Sequence, residues 1–358
     1  MTKTIPSYIE KRLAMDDLTR SRGLLHLIDR KGPISQLQAA KGLGVSPGTC
    51  NLHFQKLEYM GLIRRVDEIR KGRGRSTILW ELDNAHNVCL AFVFDVPFFQ
   101  ASLVDFNGHV LETDRQDLSA ITSRTDVEER VHAFTKSAIA RAAAEGLHIR
   151  QSFAGVPGNL DRETGAVIRA VNFPALNGLN LRGLMQEHYG LDCVSDSLGL
   201  AFYHGEIEHL PPKTPAMVVY WDLGIGGVAG VGGRVLSHGH ADTMLAELGH
   251  VRIERDGKEC HCGRLGCLEA YAGGWALIQA LEHLGIKTLD DLVAAVLKEQ
   301  PEALSMARDI ANMLGRQLVW PLQVMQSERL IVSGPLSAIY PAVEESFREG
   351  LATLFNKE

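Results

Sequence analysis

Apolar residues recur along the first sixty positions with the spacing of helices, and afterwards with the spacing of strands. In "SRGLLHLIDRKGP" the apolar positions Leu24, Leu25, Leu27 and Ile28 share one helical face, and Gly32-Pro33 ends the pattern. "SQLQAAKGLGVS" reads as a short amphipathic helix with Ser35 as its N-cap and a turn at Gly42 to Gly44. "SPGTCNLHFQKLEYMGLI" predicts a third helix, with Ser46 as N-cap and Pro47 at the first helical position, where a missing N–H costs nothing. Leu52, Leu57 and Met60 mark its expected buried face, and Gly48 counts mildly against it. Two helices across a tight Gly-containing turn, the second polar outside, predict a helix-turn-helix.

The next stretch, "LIRRVDEIRKGRGRSTILWELD", has two strand-like runs flanking a basic tip. It reads as a wing, a hairpin carrying Arg70, Lys71, Arg73 and Arg75, with glycines that let the backbone lie close to phosphate or in a minor groove. Ser46, Thr49, Asn51 and His53 fall at or near the N-terminal part of the third helix and are the candidate base or backbone contacts to duplex DNA. Past residue 84 the pattern changes to strands, glycine turns and helices. "NVCLAFVFDVPFFQASLVDFNGHVL" predicts two strands and a turn at Phe106-Asn107-Gly108, and "MVVYWDLGIGGVAGVGGRVL" a strand pair around a glycine-rich turn. Each places an aspartate, Asp95 or Asp222, after an apolar strand. That weak repeat fits a two-lobed α/β body with a ligand cleft.

Charge sharpens this division. Residues 1–83 carry fifteen Lys and Arg against nine Asp and Glu, and the remainder twenty-two against thirty-four, within an overall net charge of −6. A basic head on an acidic body points to a polyanion as the head's partner. At 45% hydrophobic and 22% charged the chain has the composition of a globular protein with a real core. No segment resembles a signal peptide or approaches the ~20 apolar residues of a membrane span. The expected location is the cytoplasm, where clustered cysteines are more often metal ligands than disulfides.

Half of the six cysteines stand in "GHVRIERDGKECHCGRLGCLEAY". His250, Cys260, Cys262 and Cys267, with turn glycines Gly263 and Gly266, allow the chain to wrap one ion. Three thiolates and one imidazole fill a tetrahedral Zn2+ shell and leave no position for a reactive water, so the expected site is structural, one zinc per chain. His261, an immediate neighbour of two of these ligands, is read as a bystander.

"AELGH" followed by "CHCGRLGCLEAY" resembles the zinc-site signature of the ROK family, named for repressors, open reading frames and kinases. "FAGVPGNLDRETGAV", "VSDSLGLAFYHGE" and "SERLIVSGPL" are similar to further family segments in the expected order, so the resemblance covers nearly the whole chain. It implies a winged helix-turn-helix at about 1–83 and an actin-like, ribonuclease H-like sugar-kinase domain at about 84–358. The first lobe would take about 84–195 with the C-terminal end, the second about 196–330. It also implies a sugar site. Glu247 and Glu269 match the family's hydroxyl-binding glutamates, His250 would offer its second nitrogen to a sugar hydroxyl, and Asp196 matches the kinases' base. Asn159 and Asn172 resemble further sugar contacts, and Ser195 stands where the family has Asn.

The resemblance departs from the kinases at residues 95–99. Where they carry Asp-x-Gly-x-Thr for the nucleotide phosphates, this chain has "DVPFF". Pro97 removes an N–H, and Phe98-Phe99 bring bulk without a donor. Asp196 therefore reads as a vestigial base. The expectation is a repressor of carbohydrate uptake or catabolism genes, a homodimer or a dimer of dimers, that binds an operator and responds to a sugar or sugar phosphate. The alternatives are a sugar kinase with a DNA-binding head, and a DNA-binding protein whose body takes no ligand.

Overall fold

The computed structural model describes residues 15–69, 77–95, 98–118, 121–161, 163–171, 173–211, 213–231, 234–235 and 247–352. The chain divides into two compact units, 1–90 with 102–113 and 135–151, and 91–101 with 114–134 and 152–358.

The first unit begins with three helices, α1 (Met15–Lys31), α2 (Gln36–Leu43) and α3 (Pro47–Tyr59), then an antiparallel wing of β1 (Ile63–Ile69) and β2 (Thr77–Leu82). The caps form as their chemistry requires. Ser35 accepts from the Gln38 N–H while Gln38 reaches back to the Ser35 N–H, and Gly44 ends α2 at φ 64°. Ser46 accepts from the Thr49 N–H, and Pro47 opens α3. Leu24, Ile28, Phe54, Leu57 and Trp80 form the core, with the Phe54 and Trp80 rings 5.4 Å apart.

The buried face of α3 differs from the expected one. Cys50, His53, Phe54 and Leu57 are buried, whereas Leu52 is half-buried and Met60 is 36% exposed. The inner stripe follows positions 50, 53, 54 and 57, a helical i, i+3, i+4, i+7 pattern that a polar-looking His53 conceals. The wing tip, with Arg70, Lys71, Arg73 and Arg75, lies outside the described residues.

Within the first unit, two later side chains bond the backbone of the head. Buried Asn87 donates to the Gly61 carbonyl at 2.7 Å and the Asp83 carbonyl at 2.6 Å. Arg150 donates to the Met60 carbonyl and to Asn87 Oδ1.

The body begins with β3 (Asn87–Asp95), β4 (Phe98–Asp105), β5 (Val110–Asp117), α4 (Arg124–Glu145), β6 (His148–Val156) and the short hairpin β7 (Asn159–Leu160) and β8 (Val167–Arg169). Then follow α5 (Leu181–Tyr189), β9 (Cys193–Ser197) and α6 (Leu198–Ile207). One sheet has the order β5-β4-β3-β6-β9, and β6 and β9 run parallel from Ser152↔Cys193 to Val156↔Ser197. Phe99 is buried on β4 against Phe92 and Phe94, which explains a Phe-Phe pair after the first aspartate turn; Val96 and Pro97 lie outside the described residues.

The second sheet uses β10 (Pro215–Trp221), β11 (Ile225–Val231), β12 (Arg234–Val235) and β13 (Arg329–Ser333) in the order β12-β11-β10-β13. β10 pairs antiparallel with β11 and parallel with β13. Its helices are α7 (Glu269–Ala272), α8 (Gly274–Leu281), α9 (Leu289–Leu297), α10 (Pro301–Val324) and α11 (Tyr340–Ala352). Val219, Trp221, Leu268, Leu314, Leu318 and Phe347 belong to its core. The buried Trp221 indole donates to the Ala272 carbonyl at 2.7 Å, so its polar edge is satisfied. Among the described residues no helix is long and apolar enough to cross a membrane.

Candidate functional site

The cysteine-rich stretch folds as the spacing predicts. Arg252 bridges Cys267 and Glu259 bridges Leu265, so the loop turns back on itself twice. Gly266, at φ 73°, makes the second return possible: a Cβ there would stand 1.7 Å from the Glu254 carbonyl oxygen. The loop delivers Cys260, Cys262 and Cys267 to His250, and the four ligand atoms lie within 4.8 Å of one another. His250 Nδ1 is 3.5 Å from Cys260 Sγ, and Cys262 Sγ is 3.7 Å from Cys267 Sγ.

These distances test the metal. A tetrahedral Zn2+ with its usual bond lengths has S···N edges of about 3.6 Å and S···S edges of about 3.8 Å. The His250–Cys260 and Cys262–Cys267 edges match that shell, and the chemistry of the four donors suits it. Without an ion, burial pushes the Cys260 thiol up to about 12 and also raises Cys267. Burial acts upward on Cys262 too, but hydrogen bonds from the Arg264 side chain and backbone outweigh it and lower that thiol. His261 stacks on Trp275, with centroids 3.9 Å apart.

His250 joins this cluster to a cleft of about 700 Å3. Its Nδ1 faces the thiols, so its Nε2 points away, 3.5 Å from Glu247 Oε2. Glu269 is 97% buried, as its 3% exposure shows, and opens α7. Its Oε2 accepts from the Ile225 N–H at 3.1 Å and its Oε1 from Trp275 Nε1 at 3.3 Å, so the carboxylate is fixed in orientation. Asn159 reaches the same cleft from the start of β7, just after the turn at Gly158. Gly158 permits that turn: it sits at φ 95°, and a Cβ would be 2.1 Å from the Arg169 carbonyl oxygen. Glu247, His250, Glu269 and Asn159 thus converge on one cavity. Carboxylates and an amide so placed accept and donate bonds to neighbouring hydroxyls.

Asp196 and Ser195 are placed differently. The cleft wall in this segment consists of Ser197, Leu198 and Gly199, and neither Ser195 nor Asp196 is among the lining residues. Asp196 Oδ1 turns back to accept from the Ser197 N–H at 2.7 Å, and Ser195 Oγ lies 3.6 Å from Cys193 Sγ. Asn172 lies outside the described residues.

One group in the cleft is not apparent from sequence. Asp95 and Asp222, whose sequence contexts echo each other, come together around Tyr220. The Tyr220 hydroxyl donates to Asp95 Oδ2 at 3.0 Å and lies 3.4 Å from Asp222 Oδ2. Burial, and then the neighbouring Asp95 carboxyl, pushes Asp222 up to about 8. Burial, with the two aspartates, also raises the Tyr220 phenol. At neutral pH Asp222 therefore holds a proton. The signal was in "YWDLGIGG", where an aspartate precedes the glycine turn.

On the head, Ser46, Thr49 and Asn51 occupy the first turns of α3. Ser46 and Asn51 are exposed and Thr49 half-exposed. His53 is not on that surface. It is 2% exposed, and its Nδ1 bonds Ser21 Oγ at 3.0 Å inside the helical core, which removes it from the DNA contacts.

Comparison with known proteins agrees with both halves. Residues 97–358 match the ROK family and residues 18–64 a winged helix-turn-helix DNA-binding domain. The DNA-binding transcriptional dual regulator NagC of Escherichia coli K12 is 24% identical over 90% of this chain and 83% of its own. A glucokinase of Thermotoga maritima is 26% identical over 67% of this chain and 79% of its own. The crystal structure of a ROK family transcriptional regulator, described as a homologue of the Escherichia coli Mlc protein, superposes with a TM-score of 0.77. It is 23% identical, over 93% of this chain and 88% of that one. The chain belongs to the ROK family, with a winged helix-turn-helix DNA-binding domain in front of the family domain.

Proposed function

We propose that this DNA-binding regulator is a repressor of carbohydrate uptake or catabolism genes whose affinity for its operator is set by a sugar or sugar phosphate in the cleft. The observation that carries the reading is the convergence of Glu247, His250, Glu269 and Asn159 on one cavity, in a chain that begins with a winged helix. The two glutamates accept from sugar hydroxyls, and Asn159 supplies both a donor and an acceptor. His250 presents Nε2 to the cleft, and the ion held by His250, Cys260, Cys262 and Cys267 supplies only rigidity. The regulator acts as a dimer on an inverted repeat, with half-site centres about one helical turn or a multiple of it apart.

The reading without catalysis rests on the other end of the cleft. After Asp95, Pro97 and Phe98-Phe99 stand where the kinases' phosphate turn carries its glycine and hydroxyl, which takes away an N–H and a side-chain donor toward a nucleotide. Asp196, one residue before the cleft-lining Ser197, has Oδ1 engaged by the Ser197 N–H. The test combines calorimetry and turnover. A hexose, an N-acetylated hexosamine or a phosphorylated relative should bind the zinc-loaded protein, and Mg-ATP should yield no ADP with any sugar that binds. Steady sugar-dependent ADP formation would replace this reading with a sugar kinase that carries a DNA-binding head.

A further inference from the structure

Within the reading that the head binds an operator, α3 carries a more specific device. Asn51 stands in the second turn of α3 and is exposed. Gln36, the first residue of α2, donates from Nε2 to Asn51 Oδ1 at 3.0 Å. Gln36 is itself fixed. Ser35 beside it caps α2 in a capping box, and the Cys50 thiol donates to the Gln36 carbonyl at 3.5 Å. A side chain from the first helix of the motif thus braces one on the second before any DNA is present.

The brace leaves a defined set of free groups on Asn51. Its Oδ1 has two lone pairs and Gln36 uses one, so one acceptor and both Nδ2 hydrogens remain. One acceptor beside one donor complements the major-groove edge of adenine, which offers the N6 amino donor and the N7 acceptor. Guanine presents two acceptors and cytosine only a donor, so neither matches both groups. Neighbouring positions support the same face: Gly48 and Gln55 are exposed beside Asn51, while Cys50, His53, Phe54 and Leu57 point inward. We propose that Asn51, held by Gln36, reads the adenine of one A·T pair in the operator's major groove and is a specificity-determining residue of this regulator. Bracing matters because an amide already oriented loses less side-chain freedom on binding than a free one.

The experiment selects a random duplex library on the full-length protein and on Asn51→Ala, Asn51→Asp and Gln36→Ala. The wild type should enrich a site with a fixed A·T pair. Asn51→Ala should keep the remaining preferences and lose discrimination at that pair by about 5- to 150-fold. Asn51→Asp, which can only accept, should move the preference at the same position toward cytosine. Gln36→Ala should weaken discrimination there by a smaller factor and nowhere else. Equal binding of all four proteins to random-sequence duplex at low salt would show that the variants fold. The inference is overturned if Asn51→Ala selects an unchanged site, or loses affinity equally for every sequence, as a phosphate contact would. Enrichment of no sequence by the wild type would remove the operator reading itself, and this inference with it.

Discussion

Asp222→Asn should make the protein more stable, and increasingly so as pH rises. An exposed carboxyl titrates at 3.8, whereas in the fold burial and Asp95 push Asp222 up to about 8. The folded state therefore binds the proton more tightly than the unfolded chain. That contribution is fully present below pH 3.8 and is lost progressively as pH climbs toward 8. At 1.36 kcal/mol per pH unit, the span from 3.8 up to pH 7 sets an upper bound of about 4 kcal/mol. Asparagine removes the titration: its amide N–H donates to Asp95 where the carboxyl needed a proton, and the Tyr220 hydroxyl keeps Asp95 Oδ2 as its acceptor. Urea unfolding of wild type and variant at pH 6, 7, 8 and 9 gives the difference directly, since all other groups titrate in both. The stability gain should grow from pH 6 to about 8 and then level off. A gain that stays constant or shrinks over this range would refute the account of the pair.

The purified protein should contain about one zinc per chain by metal analysis, and Cys262→Ser should lose it together with stability, because metal binding to such a site contributes to folding. Removing Arg150 leaves the Met60 carbonyl without its guanidinium donor, so Arg150→Ala should cost roughly 0.5–1.5 kcal/mol locally and accelerate hydrogen exchange at residues 59–62. Replacing Arg73 and Arg75 by alanine should weaken DNA binding and reduce the salt slope by roughly 0.9 for each phosphate no longer neutralised, measured as affinity against log salt. An unchanged slope would mean that the wing does not meet the backbone.

Local chemistry was the most legible part of the sequence. Ser35 and Ser46 cap because a hydroxyl before a helix finds a free N–H within three residues, a rule that needs no tertiary context. The metal cluster was legible for a similar reason: Cys260, Cys262 and Cys267 are close in sequence, and turn glycines bring them together. What escaped depends on tertiary partners. His53 looked like a surface group because its polarity hides that Ser21, thirty-two residues away, bonds its Nδ1 in the core. Tyr220 read as an ordinary strand residue because nothing nearby in sequence reveals that Asp95 lies 3.0 Å from its hydroxyl. Asp196 occupies the position that the resemblance implies, yet its carboxylate bonds the next residue's N–H, a choice made by the local backbone at the end of β9.

The central claim is that a sugar in the cleft controls the head, and operator binding measured in its presence tests this most directly. A ligand shifts the DNA-competent population only by its difference in affinity between two states of the protein, so binding alone is not sufficient. Fluorescence anisotropy with labelled operator at fixed salt should show that a sugar which binds the wild type changes operator affinity, by about 5- to 150-fold for an ordinary allosteric coupling. Glu247→Ala, which removes a half-exposed carboxylate beside His250, should bind operator as the wild type does without sugar and show no shift with it. An operator affinity that no cleft-binding sugar alters, or the same shift in Glu247→Ala, would contradict the account.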